Sequence, residues 1–249
     1  MSPDVSIVVP AYNEAGLLTE SLREIVDGLR ARLLSFEVVV VENGSTDGTR
    51  TLALEVAAVD PEVTVHSLPR PDYGEALRTG ILAARGARVV MFDTDYYDLD
   101  FLDLALARLD AADAPAVVVG SKRAPGTVDD RAFARRLITA AFAAALRVGF
   151  GLAVSDTHGM KALDREQVAP LARTCRNGRD LFDTELVLRA DRAGLGVVEL
   201  SVTVVERRPS RTPIAGRALR TVLGLLRMRI LLWRDPPVRG TPGAGTARP

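Results

Sequence analysis

Val89-Val90-Met91-Phe92-Asp93-Thr94-Asp95 sets an apolar run directly before two carboxylates one residue apart. The run reads as a buried strand, and the aspartates fall where it ends, ahead of the acidic stretch Asp98-Leu99-Asp100. Carboxylates at this spacing can chelate Mg²⁺ or Mn²⁺ and through the ion a diphosphate, because hard cations take oxygen ligands from one or two carboxylates plus substrate phosphates. A solvated turn has the same three letters, so the surrounding chain must decide.

Working outward, short apolar runs alternate with amphipathic helical patterns. Strands are expected at Val5 to Val9, Phe36 to Val41, Val63 to Leu68, Ala87 to Phe92 and Ala116 to Gly120. Between them, Glu14 to Leu34 places Leu17, Leu18, Leu22, Ile25, Val26 and Leu29 on one helical face, and further helices fit Asp47 to Val59, Gly74 to Arg85 and the region of Phe101 to Leu109. Strands apolar on both faces and separated by helices imply an α/β fold, a mostly parallel central sheet with helices on both faces. Such sheets bind ligands at the carboxyl ends of their strands.

Polar residues collect at those ends: Pro10-Ala11-Tyr12-Asn13-Glu14 after the first strand, Glu42-Asn43-Gly44-Ser45-Thr46-Asp47-Gly48 after the second, and the aspartates after the fourth. Helix capping accounts for Asn13, Ser45 or Asp47 singly but not for the three clusters together. A dinucleotide-binding domain would carry G-x-G-x-x-G after the first strand, where this chain has Pro-Ala-Tyr-Asn-Glu-Ala-Gly, and no Walker A sequence occurs. With both phosphate loops absent, a cation held by Asp93 and Asp95 is the expected phosphate anchor.

Composition excludes other classes. Lys+Arg and Asp+Glu both number 32 in 249 residues, so no global field points to nucleic acid. The single cysteine, Cys175, rules out an intramolecular disulfide or a multi-cysteine metal site and is expected to be structural. His66 and His158 have no second ligand at suitable spacing. The N-terminus lacks the features of a secretory signal, and the apolar candidate from Ala218 to Trp233 is broken by Arg220, Arg227 and Arg229, so no membrane span is expected.

The ordered pieces Val5 to Glu14, Val39 to Thr49 and Phe92 to Asp95 resemble the inverting glycosyltransferases of family 2, which have the GT-A fold. The second half resembles the polyprenyl-phosphate (dolichyl-phosphate) mannose and glucose synthases within that family: Ser155 to Leu163, Phe182 to Leu186, Ala193-Gly194, and Glu206 to Arg211. The resemblance implies transfer of a hexose from a nucleotide sugar, GDP-mannose or UDP-glucose, to a polyprenyl phosphate with inversion. It assigns the nucleotide sugar to Pro10, Tyr12, Asn13, Glu14, Glu42, Asn43, Gly44, Ser45, Arg78, Asp93 and Thr94, and Mg²⁺ or Mn²⁺ to Asp93 and Asp95. The acceptor phosphate falls to Lys122, Arg123, Arg208 and Ser210, arginine suiting phosphate through its planar fork. A lipid phosphate is already anionic; a hydroxyl acceptor would need a base, for which Asp183 and Glu185 are candidates, though both also read as first-turn carboxylates favoured by the helix dipole.

Three positions depart from the family pattern. Glu42-Asn43 stands for paired aspartates, Asp72-Tyr73-Gly74-Glu75 makes an often basic loop acidic, and Tyr97 replaces a Gln near the metal. A soluble glycosyltransferase acting on a hydroxyl acceptor is one alternative, and these departures suggest a second, a non-catalytic nucleotide-sugar-binding homologue. From Ile214 to Trp233, Arg217, Arg220 and Arg227 share one helical face and Leu219, Val222, Leu223, Leu226 and Ile230 another, which suits a membrane surface, core packing or an oligomer contact. The expectation is one domain over 1–235, with a nucleotide-sugar half to 121 and an acceptor half beyond, then a disordered tail over 236–249. It would be cytoplasmic and peripheral on the cytoplasmic face of the membrane.

Overall fold

The computed structural model describes residues 2–121, 146–152, 159–178, 181–202 and 224–232, with positions 144, 154, 157, 234 and 235. Its chain order is β1 (Val5–Ala11), α1 (Leu18–Ala31), β2 (Phe36–Glu42), α2 (Thr49–Val59), β3 (Val63–Ser67), α3 (Tyr73–Ala83), β4 (Arg88–Met91), α4 (Leu99–Leu109), β5 (Val117–Ser121), β6 (Lys161–Asp164), α5 (Arg165–Thr174), α6 (Phe182–Arg192) and β7 (Val197–Ser201). The strands form one seven-stranded sheet in the order β3-β2-β1-β4-β6-β5-β7. Every pairing is parallel except those of β6, which runs antiparallel to both β4 and β5. This is the α/β, mostly parallel sheet expected of the GT-A fold.

Strand alternation sorts the core into two layers, since successive side chains point to opposite faces. Ile7, Val9, Val38, Val40 and Val118 pack with α1, α2 and α4 on one face. Val8, Val39, Val41, Val117 and Val119 pack with α3, α5 and α6 on the other, where Leu225, Met228 and Leu232 of the helical segment 224–232 also insert. The strands β1, β2, β4 and β5 are thus apolar on both sides, the condition that makes a parallel sheet stable.

The six parallel strands end on the same edge of the sheet. The antiparallel β6 begins there with Lys161, and α5 returns the chain so that α6 also starts at that edge. One rim therefore receives the loops after β1, β2 and β4, the first residue of β6 and the first turn of α6.

Candidate active site

The loops after β1 and β2 are laced together. Asn13 adopts the left-handed conformation, φ 54°, which Asn tolerates better than most residues. Its backbone N–H donates to Ser45 Oγ at 3.1 Å, and its Oδ1 accepts from Thr46 N–H at 2.9 Å. The Glu14 N–H donates to Thr49 Oγ1 at 2.7 Å, and that of Ala15 to Asp47 Oδ2 at 3.3 Å. Neither α1, preceded by Leu17, nor α2, preceded by Gly48, has a side-chain cap. Asn13 and Ser45 therefore join two loops instead of capping helices.

Glu42 and Asn43, both buried, serve the second loop. Glu42 Oε1 accepts from Ser45 N–H at 2.5 Å, and Asn43 Oδ1 from Asp72 N–H at 2.7 Å. Gly44 has φ +67°, and a Cβ there would stand 2.8 Å from the Arg70 carbonyl carbon, so only glycine fits. The acidic loop before α3 also has a local cause: Asp72 is the N-cap of α3, accepting from Glu75 N–H at 3.0 Å. Beside this ordered frame the Tyr12 side chain stands open, 42% exposed.

The third corner follows β4. Asp93 N–H donates to Tyr96 O at 3.0 Å and Tyr96 N–H returns to Asp93 O at 3.2 Å, closing a turn around Thr94 and Asp95. Thr94, 2% exposed, donates through Oγ1 to the Pro10 carbonyl at 3.4 Å, tying the turn to the end of β1. Tyr73 donates its hydroxyl to Asp93 Oδ1 at 2.9 Å. Burial pushes the Asp93 carboxyl up to about 6; the Tyr73 hydroxyl opposes the shift, the charges of Asp183 and Asp95 add to it, and Lys161 opposes it. Carboxylates that destabilise one another in a partly buried pocket of oxygen donors are what a hard divalent cation relieves. The donor set suits a hard cation such as Mg²⁺ or Mn²⁺, which Asp93 and Asp95 could hold; no group of three His, Cys, Asp or Glu suited to a metal occurs among the described residues.

Across the rim, α6 is buried from Phe182 to Ala190. Asp183 and Glu185, equivalent candidates in sequence, lie in different surroundings. Asp183 Oδ1 is 3.2 Å from Lys161 Nζ, and both side chains are almost wholly buried. Glu185 is saturated: Oε1 receives the Arg189 guanidinium at 2.7 Å, and Oε2 accepts the backbone N–H groups of Arg176 and Asn177 at 3.0 and 2.8 Å and Asn177 Nδ2 at 2.7 Å. The structure thus brings Asp183 to the aspartate turn and places Glu185 under the loop 175–178.

Arg78 of α3 faces α5 and α6. Its guanidinium donates to the carbonyls of Ala172 and Cys175 at 3.3 and 2.6 Å and stacks 5.5 Å above the Phe182 ring, joining α3 to α5 and α6. Tyr97 directs its hydroxyl to Glu24 of α1. Cys175 is buried, its thiol pushed up by burial, which agrees with a structural role. Lys122, Arg123, Arg208 and Ser210 lie outside the described residues, although β5 and β7 deliver the chain to the same rim at Ser121 and Ser201. Sequence reading missed Tyr73 as a partner of Asp93; nothing in the sequence distinguishes it from a surface aromatic. It also left Lys161 without a role, although its place in the second-half motif was a signal.

Comparison with known proteins places this geometry. The chain is 32% identical over 241 residues to glycosyltransferase AglD of Haloferax volcanii, covering 95% of this chain but only 38% of AglD. It is 30% identical to the dolichyl-phosphate beta-glucosyltransferase ALG5D of Trichomonas vaginalis, covering 91% of this chain and 73% of that one. Among solved structures it resembles glucosyl-3-phosphoglycerate synthase from Mycobacterium tuberculosis in complex with Mn²⁺, uridine diphosphate and phosphoglyceric acid, with TM-score 0.66 and 25% identity over 91% of this chain and 78% of that one. The family profile described as glycosyl transferase family 2 matches residues 6–169, and with the sheet order, the laced loops and the aspartate turn it shows that the chain is a glycosyltransferase belonging to family 2.

Proposed function

We propose that this glycosyltransferase moves a hexose from a nucleotide sugar to a polyprenyl phosphate at a membrane surface, with inversion and with a divalent cation. The observation that carries the reading is the meeting at one rim of the open Tyr12, the fixed 42–45 loop and the Asp93-Thr94-Asp95 turn. The relative named as a dolichyl-phosphate beta-glucosyltransferase, and the uridine diphosphate and Mn²⁺ of the structural neighbour, favour UDP-glucose over GDP-mannose and support the lipid phosphate and the cation.

Tyr12 offers a flat face to the base, and the hydrogen bonds of Glu42 and Asn43 hold the neighbouring loop in one shape before the donor arrives. Tyr73 orients Asp93 by occupying one of its lone pairs. Asp93 and Asp95 would hold Mg²⁺ or Mn²⁺, which supplies charge neutralisation for the departing diphosphate. Lys122, Arg123, Arg208 and Ser210 would grip the acceptor phosphate. A phosphate oxygen is already a nucleophile and needs no protein base.

A hydroxyl acceptor is the second reading, favoured by one observation: Asp183 stands at the rim, near enough to Asp93 for their charges to interact, and is placed to take a proton. The two readings separate in one experiment. UDP-glucose and GDP-mannose are each supplied with polyprenyl phosphate or with water-soluble acceptors, in Mg²⁺, Mn²⁺ or chelator. Lipid-phosphate-dependent transfer that stops in chelator is expected; transfer by metal-stripped enzyme, or only to soluble hydroxyls, overturns the proposal.

A further inference from the structure

We propose that Lys161 is a positioning residue of the transfer reaction, clamping the carboxylate of Asp183 to the turn that carries Asp93 and Asp95. The inference rests on reading that turn as the diphosphate corner. Lys161 opens β6 at the active rim, in register with Met91 of β4 and Val119 of β5. Its side chain is fully buried, with Nζ 2.8 Å from the Gly159 carbonyl and 3.2 Å from Asp183 Oδ1.

Each partner leads to one side of the cleft. Gly159, at φ +108°, lies against the Tyr96 ring, whose Cε1 is 3.6 Å from where a Cβ would stand. Tyr96 is the residue that closes the Asp93 turn. Asp183 lies in the first turn of α6, and the neighbouring Thr157 and Thr184 hydroxyls meet at 2.9 Å, a second stitch between the same two segments. A single ammonium therefore spans from the aspartate turn to the start of the acceptor-side helix.

Packing alone does not call for a charge here. A buried ammonium is costly unless paired, and an apolar residue of similar volume fills such a site at equal or lower cost. Asp183 Oδ1 makes no hydrogen bond among the described residues, so the Lys161 contact is what fixes that oxygen. Lys161 is the ammonium that stands among the carboxylates of Asp93, Asp95 and Asp183. Without Lys161, the buried Oδ1 of Asp183 loses its counter-charge and the contact that fixes it.

The test compares the full chain with K161M, K161R, D183N and the K161M/D183N double variant. Melting temperature, kcat and donor KM are measured in transfer to polyprenyl phosphate, and release of nucleoside diphosphate from the nucleotide sugar is followed without acceptor. K161M is expected to lower kcat about 10- to 100-fold, the range for residues that orient a site from behind, with donor KM moving less than about threefold. K161R should recover part of the loss, and the double variant should be no slower than D183N. Wild-type kcat in K161M, or losses that multiply in the double variant, would overturn the inference. If K161M does not fold, the double variant, with neither charge left buried, carries the test: wild-type kcat there overturns it. Absence of transfer to polyprenyl phosphate by the wild type would defeat the proposed function, while the acceptor-free release of nucleoside diphosphate would still test Lys161.

Discussion

Asp93 and Asp95 are expected to be needed for chemistry and not for folding. Burial and like charge disfavour the ionised Asp93, so D93N removes an unfavourable charge and keeps an acceptor for the Tyr73 hydroxyl. Its melting temperature in chelator should equal or exceed that of the wild type, while transfer falls by about 100-fold or more, the scale of losing one group that stabilises transition-state charge. A D93N protein with near-normal transfer would remove the turn from the mechanism. Glu185 predicts the opposite pattern. It lies under the 175–178 loop with all its partners inside the protein, and E185Q leaves the Arg189 guanidinium with Asp235, 3.1 Å away, as its carboxylate partner. Losing a charged hydrogen-bond partner there costs about 2 kcal/mol, so denaturant melts should show a clear loss of stability. If E185Q melts like the wild type yet loses kcat, Glu185 acts in the chemistry and its enclosure here is misleading.

Among the elements, the start of β4 is set by a buried carboxylate far from the active rim. Glu37 of β2 accepts from Ser6 Oγ and Arg85 N–H, each at 2.6 Å, and from Arg85 Nε at 2.7 Å, while Ser6 Oγ accepts from Gly86 N–H at 2.8 Å. Burial works against the ionised Glu37, but the hydrogen bonds from Ser6 and Arg85 outweigh it and hold its carboxyl below the usual value. A carboxyl depressed in the folded state contributes stability above its unfolded value and loses it as pH falls through the folded one. E37Q should therefore cost about 2 kcal/mol near neutral pH, as for hydrogen bonds to a charged group, and the deficit should vanish well below pH ~4.5. A deficit unchanged at low pH would mean that packing and not the charge is at stake. The same scale shows what the sequence could reveal. The parallel strands were legible because Val38 to Val41 and Val117 to Val119 are apolar on both faces, and element ends shifted by only a few residues. β6 was read as a motif and not as a strand, because Lys-Ala-Leu-Asp is four residues long with a charge at each end. Its antiparallel direction depends on partners distant in sequence, and so does the buried state of Lys161. Arg78 shows the same limit: its helical position was legible, but its turn toward the Cys175 carbonyl depends on a loop some hundred residues further on.

For the whole molecule, the open question is how it would meet a lipid acceptor. Among the described residues no helix is long and apolar enough to cross a membrane, and the surface they offer for such contact is the helical segment 224–232. The helical segment 224–232 is divided: Leu225, Met228 and Leu232 are buried in the α6 side of the core, whereas Leu226 and Ile230 stand 57% and 55% exposed. Arg227, Arg229 and Arg234 are exposed around them. Apolar side chains left in water and ringed by arginine are the arrangement that binds an anionic lipid surface, through insertion of the former and attraction of the latter. Because neither Leu226 nor Ile230 is in the core, L226S/I230S should leave the melting temperature within about 1 °C, since exposed substitutions change stability little. The variant should nevertheless co-sediment less with phosphatidylserine-containing vesicles and raise KM for polyprenyl phosphate in vesicles without changing that for the nucleotide sugar. R227Q/R229Q should weaken binding by about 1 kcal/mol per arginine at low salt, and this loss should fade as salt rises. Unchanged sedimentation in both double variants would assign this face to another role and leave the lipid acceptor to be reached from a different part of the chain.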